Sequence, residues 1–335
     1  MRLPSGKVPP EVLREIVFRH LGVESRDVLL GPSMGEDGAV IKVGDEVLVS
    51  SMDPITGAVK RLGWLAVNIN ANDVATFGVR PRFFSSCILL PSEAASEILK
   101  EICAQIDSAA KRLGIAVIGG HSEVTPGLKQ PIVIGYALGV AEEGRYVTSG
   151  GARAGNVIIL TKGAGVEGTA ILASERREIL SKELGEDLVN SAEDFYERIS
   201  VVEEALIAFR VGGVTAMHDP TEGGVAGGIH EVADASNLGV EVFEEKIEIA
   251  PETSMICAYF GVDPLQLIGS GALLISVESD YAERVLKAIN SRGISASVIG
   301  RFLPDPKRRI LVQRDGRVTD LVRPLSDHLW KALER

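Results

Sequence analysis

The placement of glycine constrains this chain more than any other feature. The sequence holds 36 glycines in 335 residues, and they gather where an apolar run ends or a helical period begins. Gly119-Gly120, Gly163-Ala164-Gly165 and Gly223-Gly224 are the clearest cases. Glycine allows sharp turns and close approach of the backbone, at an entropic cost inside regular elements. Its repetition at strand ends and helix starts implies α/β architecture, with turns facing a ligand or a neighbouring segment.

Short apolar runs predict strands at 39–43 and 46–51, joined as a hairpin by Gly44-Asp45. Further strands are predicted at 82–90, 115–118, 132–140, 157–161 and 272–277. Helical periods predict helices at 10–22, 61–78, 92–113, 192–211, 222–236 and 280–291. In 92–113, Ile98, Ile102, Ile106, Ala109 and Leu113 share one face, Ser92 reads as the N-cap and Gly114 as the stop. Residues 142–155, rich in Gly, Arg and Ser, read as a linker between domains 1–150 and 151–335.

The charge balance excludes some function classes. Lys and Arg number 35 and Asp and Glu 46, a net −11. No segment is strongly basic, so nucleic acid is not an expected partner. No run of 18 apolar residues appears, so no membrane span is expected, and residues 1–35 lack the apolar core of a signal peptide. Cys87, Cys103 and Cys257 are too few and too scattered for a disulfide framework or a zinc site. Cys87 on a strand and Cys103 beside Ile102 are expected to act as small buried hydrophobes. The expectation is a cytoplasmic protein.

Several places look chemical. Gly35-Glu36-Asp37-Gly38 is an acidic turn opening a strand, and Asp53-Pro54 follows the next strand. Each alone is also an ordinary turn. Asn68, Asn70, Asn72 and Asp73 interrupt an otherwise apolar helix, where Asn and Asp are poor formers. A buried network or a metal site would explain them. Gly119-Gly120-His121-Ser122-Glu123 is read as a polar turn at a strand end, where α/β ligand sites form. Convergence of Asp37, Asp53, Asp73 and Glu123 would suit a hard cation such as Mg²⁺, which takes carboxylate and phosphate oxygens.

In the second half, His218-Asp219-Pro220-Thr221-Glu222-Gly223-Gly224 opens a helix. Asp219 with Glu222 reads as a capping-box variant with Pro220 in the first turn. The glycines that follow cost helix stability. Phosphate approaching the helix N-terminus would justify them, and close packing is the other explanation. Gly163–Gly168 is a second glycine loop without the Gly-Lys-Ser/Thr ending of a Walker A motif.

Taken in order, these motifs resemble the aminoimidazole ribonucleotide synthetase superfamily, which includes thiamine-monophosphate kinase, selenophosphate synthetase and HypE-like proteins. The resemblance spans about residues 30–325, and 163–178 is most similar to HypE. It implies a two-domain α/β (α+β) PurM-like fold. The N-terminal mixed sheet would form a barrel across a homodimer, and the C-terminal sheet would be flanked by helices. It implies ATP and Mg²⁺ as cofactors, an unknown substrate, and room for a protein partner. Asp37, Asp53 and Asp73 look like metal-binding carboxylates with Asn72 beside them. Asp219, Thr221, Gly223 and Gly224 look like the element near the nucleotide. Asp73, His121 and Asp219 are the candidate catalytic residues.

Two departures stand out. No Cys follows Cys257, whereas HypE ends in a Cys that carries the carbamoyl group; dehydration of a C-terminal thiocarboxamide is not expected. The Gly-Gly turn continues with His121, Ser122 and Glu123 where an acidic residue is usual. Two roles stay open: Glu123 on the metal, or His121 on phosphate. The expected chemistry is activation of an acceptor by the γ-phosphoryl group of ATP. The alternatives are an ATP-binding accessory scaffold without turnover and, more remotely, a nicotinamide enzyme. The latter lacks Gly-x-Gly-x-x-Gly between a first strand and a helix.

Overall fold

Two mixed sheets follow one another along the chain, each with its own helices. The computed structural model describes residue 3, residues 6–56 and residues 60–334. The first sheet comprises β1 (Val28–Leu30), β2 (Ala39–Val43), β3 (Glu46–Ile55), β4 (Pro81–Leu90), β5 (Ala116–Val124) and β6 (Ile132–Glu142). Its order is β1-β2-β3-β6-β4-β5, with β4 and β5 parallel and the other pairs antiparallel. Short α1 (Pro10–Glu15) precedes it. Helices α2 (Leu62–Thr76) and α3 (Ser96–Leu113) serve the sheet, α2 lying against β3 and β6.

All fifteen residues of α2 are buried. Such a helix must be apolar on every side or satisfy its polar groups internally. It lies between the first sheet, α3 and the second domain. Gly135 on β6 permits this approach, because a Cβ there would stand 2.3 Å from Asn70 Nδ2.

The second sheet holds β7 (Val157–Thr161), β8 (Val214–His218), β9 (Gly239–Phe243), β10 (Leu274–Val277), β11 (Ala296–Leu303), β12 (Arg309–Val312) and β13 (Val318–Asp320). Its order is β13-β12-β9-β11-β7-β10-β8. The accompanying helices are α4 (Val166–Glu175), α5 (Arg177–Leu184), α6 (Glu186–Glu193), α7 (Val202–Val211), α8 (Gly224–Ala235), α9 (Pro251–Phe260), α10 (Ser279–Asn290) and α11 (His328–Leu333). Strand alternation splits the core. Ile159 joins the cluster containing α4 and α7, while Ile158 and Leu160 join the one around α8. No helix among the described residues is long and apolar enough to cross a membrane.

Several sequence expectations change. The 92–113 helix begins at Ser96 with Ala95 as N-cap, so Ser92 caps nothing. Cys103 is exposed on α3 and Cys87 is half-buried; only Cys257 is buried, and burial pushes its thiol up to about 12. The single helix expected over 192–211 is broken into the end of α6, a 3₁₀ turn at Asp194–Arg198 and α7. The break has a cause. Asn72 of α2 donates to Ile199 O at 2.9 Å and accepts from Val201 N at 2.8 Å, taking two backbone groups a continuous helix would use. The strand expected at 115–118 runs on to Val124, through both glycines. A Cβ on Gly120 would stand 2.0 Å from Ser86 O, so glycine lets β5 lie against β4.

Candidate functional site

Four carboxylates lie within electrostatic reach of one another where the first domain contacts the second. Asp37 lies in the turn before β2, and Asp53 near the end of β3. Asp73 is buried in the last turn of α2, and Asp219 is buried just after β8. Three come from the first domain and one from the second.

Polar neighbours hold each in place. Ser51 Oγ donates to Asp73 Oδ2 at 2.7 Å. Asn70 fixes the Asp53 backbone, accepting its N–H at 2.8 Å. Asn72 Nδ2 donates to Asp219 Oδ2 at 3.0 Å, while Asp219 Oδ1 is buried without a partner. His218 Nδ1 donates to Asp37 Oδ1 at 2.8 Å, and Nε2 donates to Glu231 Oε2 at 3.0 Å. Glu36 accepts the backbone N–H groups of Ser149 and Gly150, each at 2.9 Å. The expected linker thus contributes to the site.

The electrostatics follow from burial and crowding. Burial pushes the Asp73 carboxyl well above its ordinary range, and Asp53, Asp37 and Asp219 push it further. Burial pushes Asp53 up to about 6; Lys7 opposes this, and Asp37 and Glu222 add to it. Burial also raises Asp219 well above the usual range, against the pull of its Asn72 hydrogen bond. Burial alone would lower His218, but Asp37 and Glu231 outweigh it and hold the ring as imidazolium.

The sequence-derived candidates divide. Asp37, Asp53, Asp73 and Asp219 are brought together, with Asn72 beside them. His121 and Glu123 are not. Both stand on β5, an edge strand whose nine residues are all exposed. His121 Nε2 meets Glu123 Oε2 at 3.1 Å, and Thr125 Oγ1 donates to Glu123 at 2.8 Å. The fourfold metal set Asp37, Asp53, Asp73 and Glu123 is therefore not assembled within this chain. Among the described residues, no group of three or more His, Cys, Asp and Glu side chains is arranged to hold a metal ion.

The glycine element also differs from expectation. Gly223 does not offer its N–H to a ligand: Asp327 Oδ2 accepts it at 2.6 Å. Asp327 also accepts from Leu329 N at 2.7 Å and Ile268 N at 3.2 Å, so the chain's own carboxylate occupies the α8 N-terminus. Gly224 adopts φ +60°, and a Cβ there would stand 2.4 Å from Leu267 O. Its glycine is explained by packing. The Thr221 backbone closes the turn, with Thr221 O accepting from Gly224 N at 3.0 Å.

His218, Glu231, Lys7 and Ser149 join this network without any signal of their own in the sequence, whereas Glu36 belongs to the acidic turn. His218 was visible beside Asp219, but nothing local marks a histidine gripped by acids 181 residues upstream and 13 downstream.

Comparison with known proteins identifies the family. Residues 35–141 match the AIR synthase related protein, N-terminal domain, and residues 153–313 match its C-terminal domain. The chain belongs to the AIR synthase related family. Within this family, a hydrogenase expression/formation protein of Methanocaldococcus jannaschii is 30% identical over 330 residues, covering 96% of this chain and 95% of its own length. Carbamoyl dehydratase HypE of Escherichia coli is 30% identical over 274 residues, covering 79% and 78%. The crystal structure of hydrogenase maturation protein HypE in complex with ATP aligns with a TM-score of 0.73 at 22% identity, covering 98% of each chain. The fold is the PurM-like one, with HypE-like relatives.

Proposed function

We propose that this protein is an ATP-dependent enzyme that uses the γ-phosphoryl group to activate a small-molecule or protein-borne acceptor. The observation that carries this reading is that Asp37, Asp53, Asp73 and Asp219 act on one another across the domain seam, Asp73 and Asp219 buried, Asp37 and Asp53 half-buried, their charges repelling. A cluster of this kind costs stability unless a cation or protons neutralise it. Family membership supports the reading, as do the carbamoyl dehydratase relative and the ATP-bound structure of similar fold.

The donor chemistry fits a hard cation, although among the described residues no three of these side chains already surround one point. Its groups are all carboxylate oxygens, and Asp219 Oδ1 is buried without a partner. Asp37, Asp53 and Asp73 would hold Mg²⁺. Bound there, the ion would neutralise phosphate charge and orient the γ-phosphoryl group. The protein's own share is positioning. Ser51 orients Asp73, His218 orients Asp37, and Asn72 ties Asp219 and the segment before α7 to α2. Domains 1–150 and 151–335 each supply one wall of the site.

A second copy of the chain is the proposed partner for the first sheet. α2 and α3 cover one face. On the other, Phe83, Leu89, Ile132, Ile134, Tyr136 and Leu138 are only half-buried and Met52 is 61% exposed. The register places Met52 and Phe83 opposite Tyr136 and Leu138, so these form one apolar surface. It ends at β5, where Val117 and Ile118 are exposed. Closing this face with its equivalent would form a barrel and cover the edge. His121 and Glu123 would then lie at the interface.

Calorimetric titration with ATP, in Mg²⁺ and in EDTA, tests the binding reading; equal affinity in both would defeat the cation assignment, and no binding in either would defeat the nucleotide. Turnover in the presence of candidate acceptors separates an enzyme from an ATP-binding scaffold.

A further inference from the structure

Around the carboxylates the structure sets two cations of different kinds. His218 is buried, and both ring nitrogens are committed to Asp37 and Glu231. Lys7 arrives on an N-terminal strap. Its backbone N–H donates to Glu222 Oε2 at 2.6 Å, and its Nζ donates to Glu231 Oε1 at 2.8 Å. Lys7 interacts electrostatically with Asp37 and Asp53, so its ammonium belongs to the same seam.

The Lys7 side chain is 55% exposed, unlike His218. An ammonium has three donors, and one is used by Glu231. The strap is also shaped for its place. Gly6 adopts φ +94°, where a Cβ would stand 3.0 Å from Glu222 Oε2 and 3.1 Å from Trp330 Nε1. Trp330 Nε1 is itself buried without a partner. The strap therefore runs between a carboxylate and an indole, and it brings the next residue's ammonium within electrostatic reach of Asp37 and Asp53.

A nucleoside triphosphate approaching these carboxylates needs positive charge beyond what buried His218 can offer. Lysine is a compact point charge on a flexible stem, suited to a phosphate oxygen. We propose that Lys7 is a phosphate-contacting residue, its ammonium delivered by the strap to the terminal phosphate of a nucleoside triphosphate at the Asp37–Asp53–Asp73–Asp219 seam. This rests on the nucleotide reading above. The Glu231 contact holds the ammonium ready in the unliganded protein, and the spare donors take the phosphate.

Titration calorimetry at saturating Mg²⁺ tests it, with a non-hydrolysable ATP analogue and with ADP as probes. Lys7→Gln should weaken the triphosphate analogue about tenfold or more and ADP clearly less. Lys7→Arg should recover most of the loss. Thermal unfolding without ligand should show Lys7→Gln folded, since the pair it breaks is half-exposed. Unchanged affinity for the analogue in Lys7→Gln would overturn the assignment. So would an equal loss for both nucleotides that Arg fails to recover, which would make the strap structural. A wild-type protein that binds neither nucleotide overturns the nucleotide reading itself, and Lys7 with it.

Discussion

Asn72 donates a 3.0 Å hydrogen bond to Asp219, and this contact joins a helix of the first domain to the turn that opens the helix of the second. The same side chain takes Ile199 O and Val201 N. One buried amide thus fixes three partners across the seam. Asn72→Ala would strand a backbone donor, a backbone acceptor and a carboxylate, all buried. Each buried unsatisfied group costs about 1–3 kcal/mol, with water recovering part. Urea unfolding should show a loss of about 2–4 kcal/mol. A loss below about 1 kcal/mol would mean the amide is not structural.

Asp73 predicts the opposite pattern. Its carboxyl is buried and pressed by three others, so the unliganded fold does not favour the charge. Asp73→Asn keeps the shape and can still accept from Ser51. The unliganded variant should melt at or above the wild-type temperature, while Mg²⁺-dependent ATP affinity falls at least about tenfold. A variant that binds Mg²⁺ and ATP normally would remove Asp73 from the site.

The contrast between these neighbours shows how far the sequence could be read. Polar residues in an apolar helix announced something buried at 68–73. Strand ends placed Asp37 and Asp53 near a ligand edge. Whether Asn72 touches a ligand or a distant loop depends on Ile199 and Val201, about 130 residues away, and no local pattern carries that. His121 and Glu123 stand apart from the four aspartates within this chain for a related reason. Gly119-Gly120 reads as a strand end, but parallel pairing with β4 needs glycine there and carries the strand past it. Asp327 at the α8 N-terminus lies 104 residues from Gly223.

Gly224 tests propensity against packing. Helix propensity favours Ala over Gly by about 1 kcal/mol, which alone predicts a stabler Gly224→Ala protein. The structure reverses the sign. Position 224 has φ +60°, and an added Cβ would meet Leu267 O at 2.4 Å and Leu265 O at 2.8 Å. Backbone carbonyls cannot swing aside as side chains do. Gly224→Ala should lower the melting temperature, with an expected loss of about 1–3 kcal/mol in denaturant unfolding. A variant as stable as wild type would show that the 265–267 loop yields freely.

The unliganded protein should gain stability as the solution is acidified from about pH 8.5 to about pH 6 in EDTA. Burial raises Asp53 to about 6, Asp327 to about 7 and Glu167 to about 8, and it pushes Asp73 and Asp219 well up. A carboxyl whose folded pKa exceeds its unfolded value binds more protons in the native state. Its stabilisation is complete below the unfolded pKa and is lost as pH rises through the folded one. His218, raised by Asp37 and Glu231, acts in the same direction. Glu231 is held well below its ordinary range, so it opposes this trend only in stronger acid. Glu167 makes the test specific. It is 3% exposed, and its Oε2 has no partner. Glu167→Gln replaces a costly charge with a neutral group of equal size, so it should raise the melting temperature near pH 8.5 and flatten the slope there. If thermal unfolding instead shows the same slope in the variant and the wild type, Glu167 is not among the groups that set it.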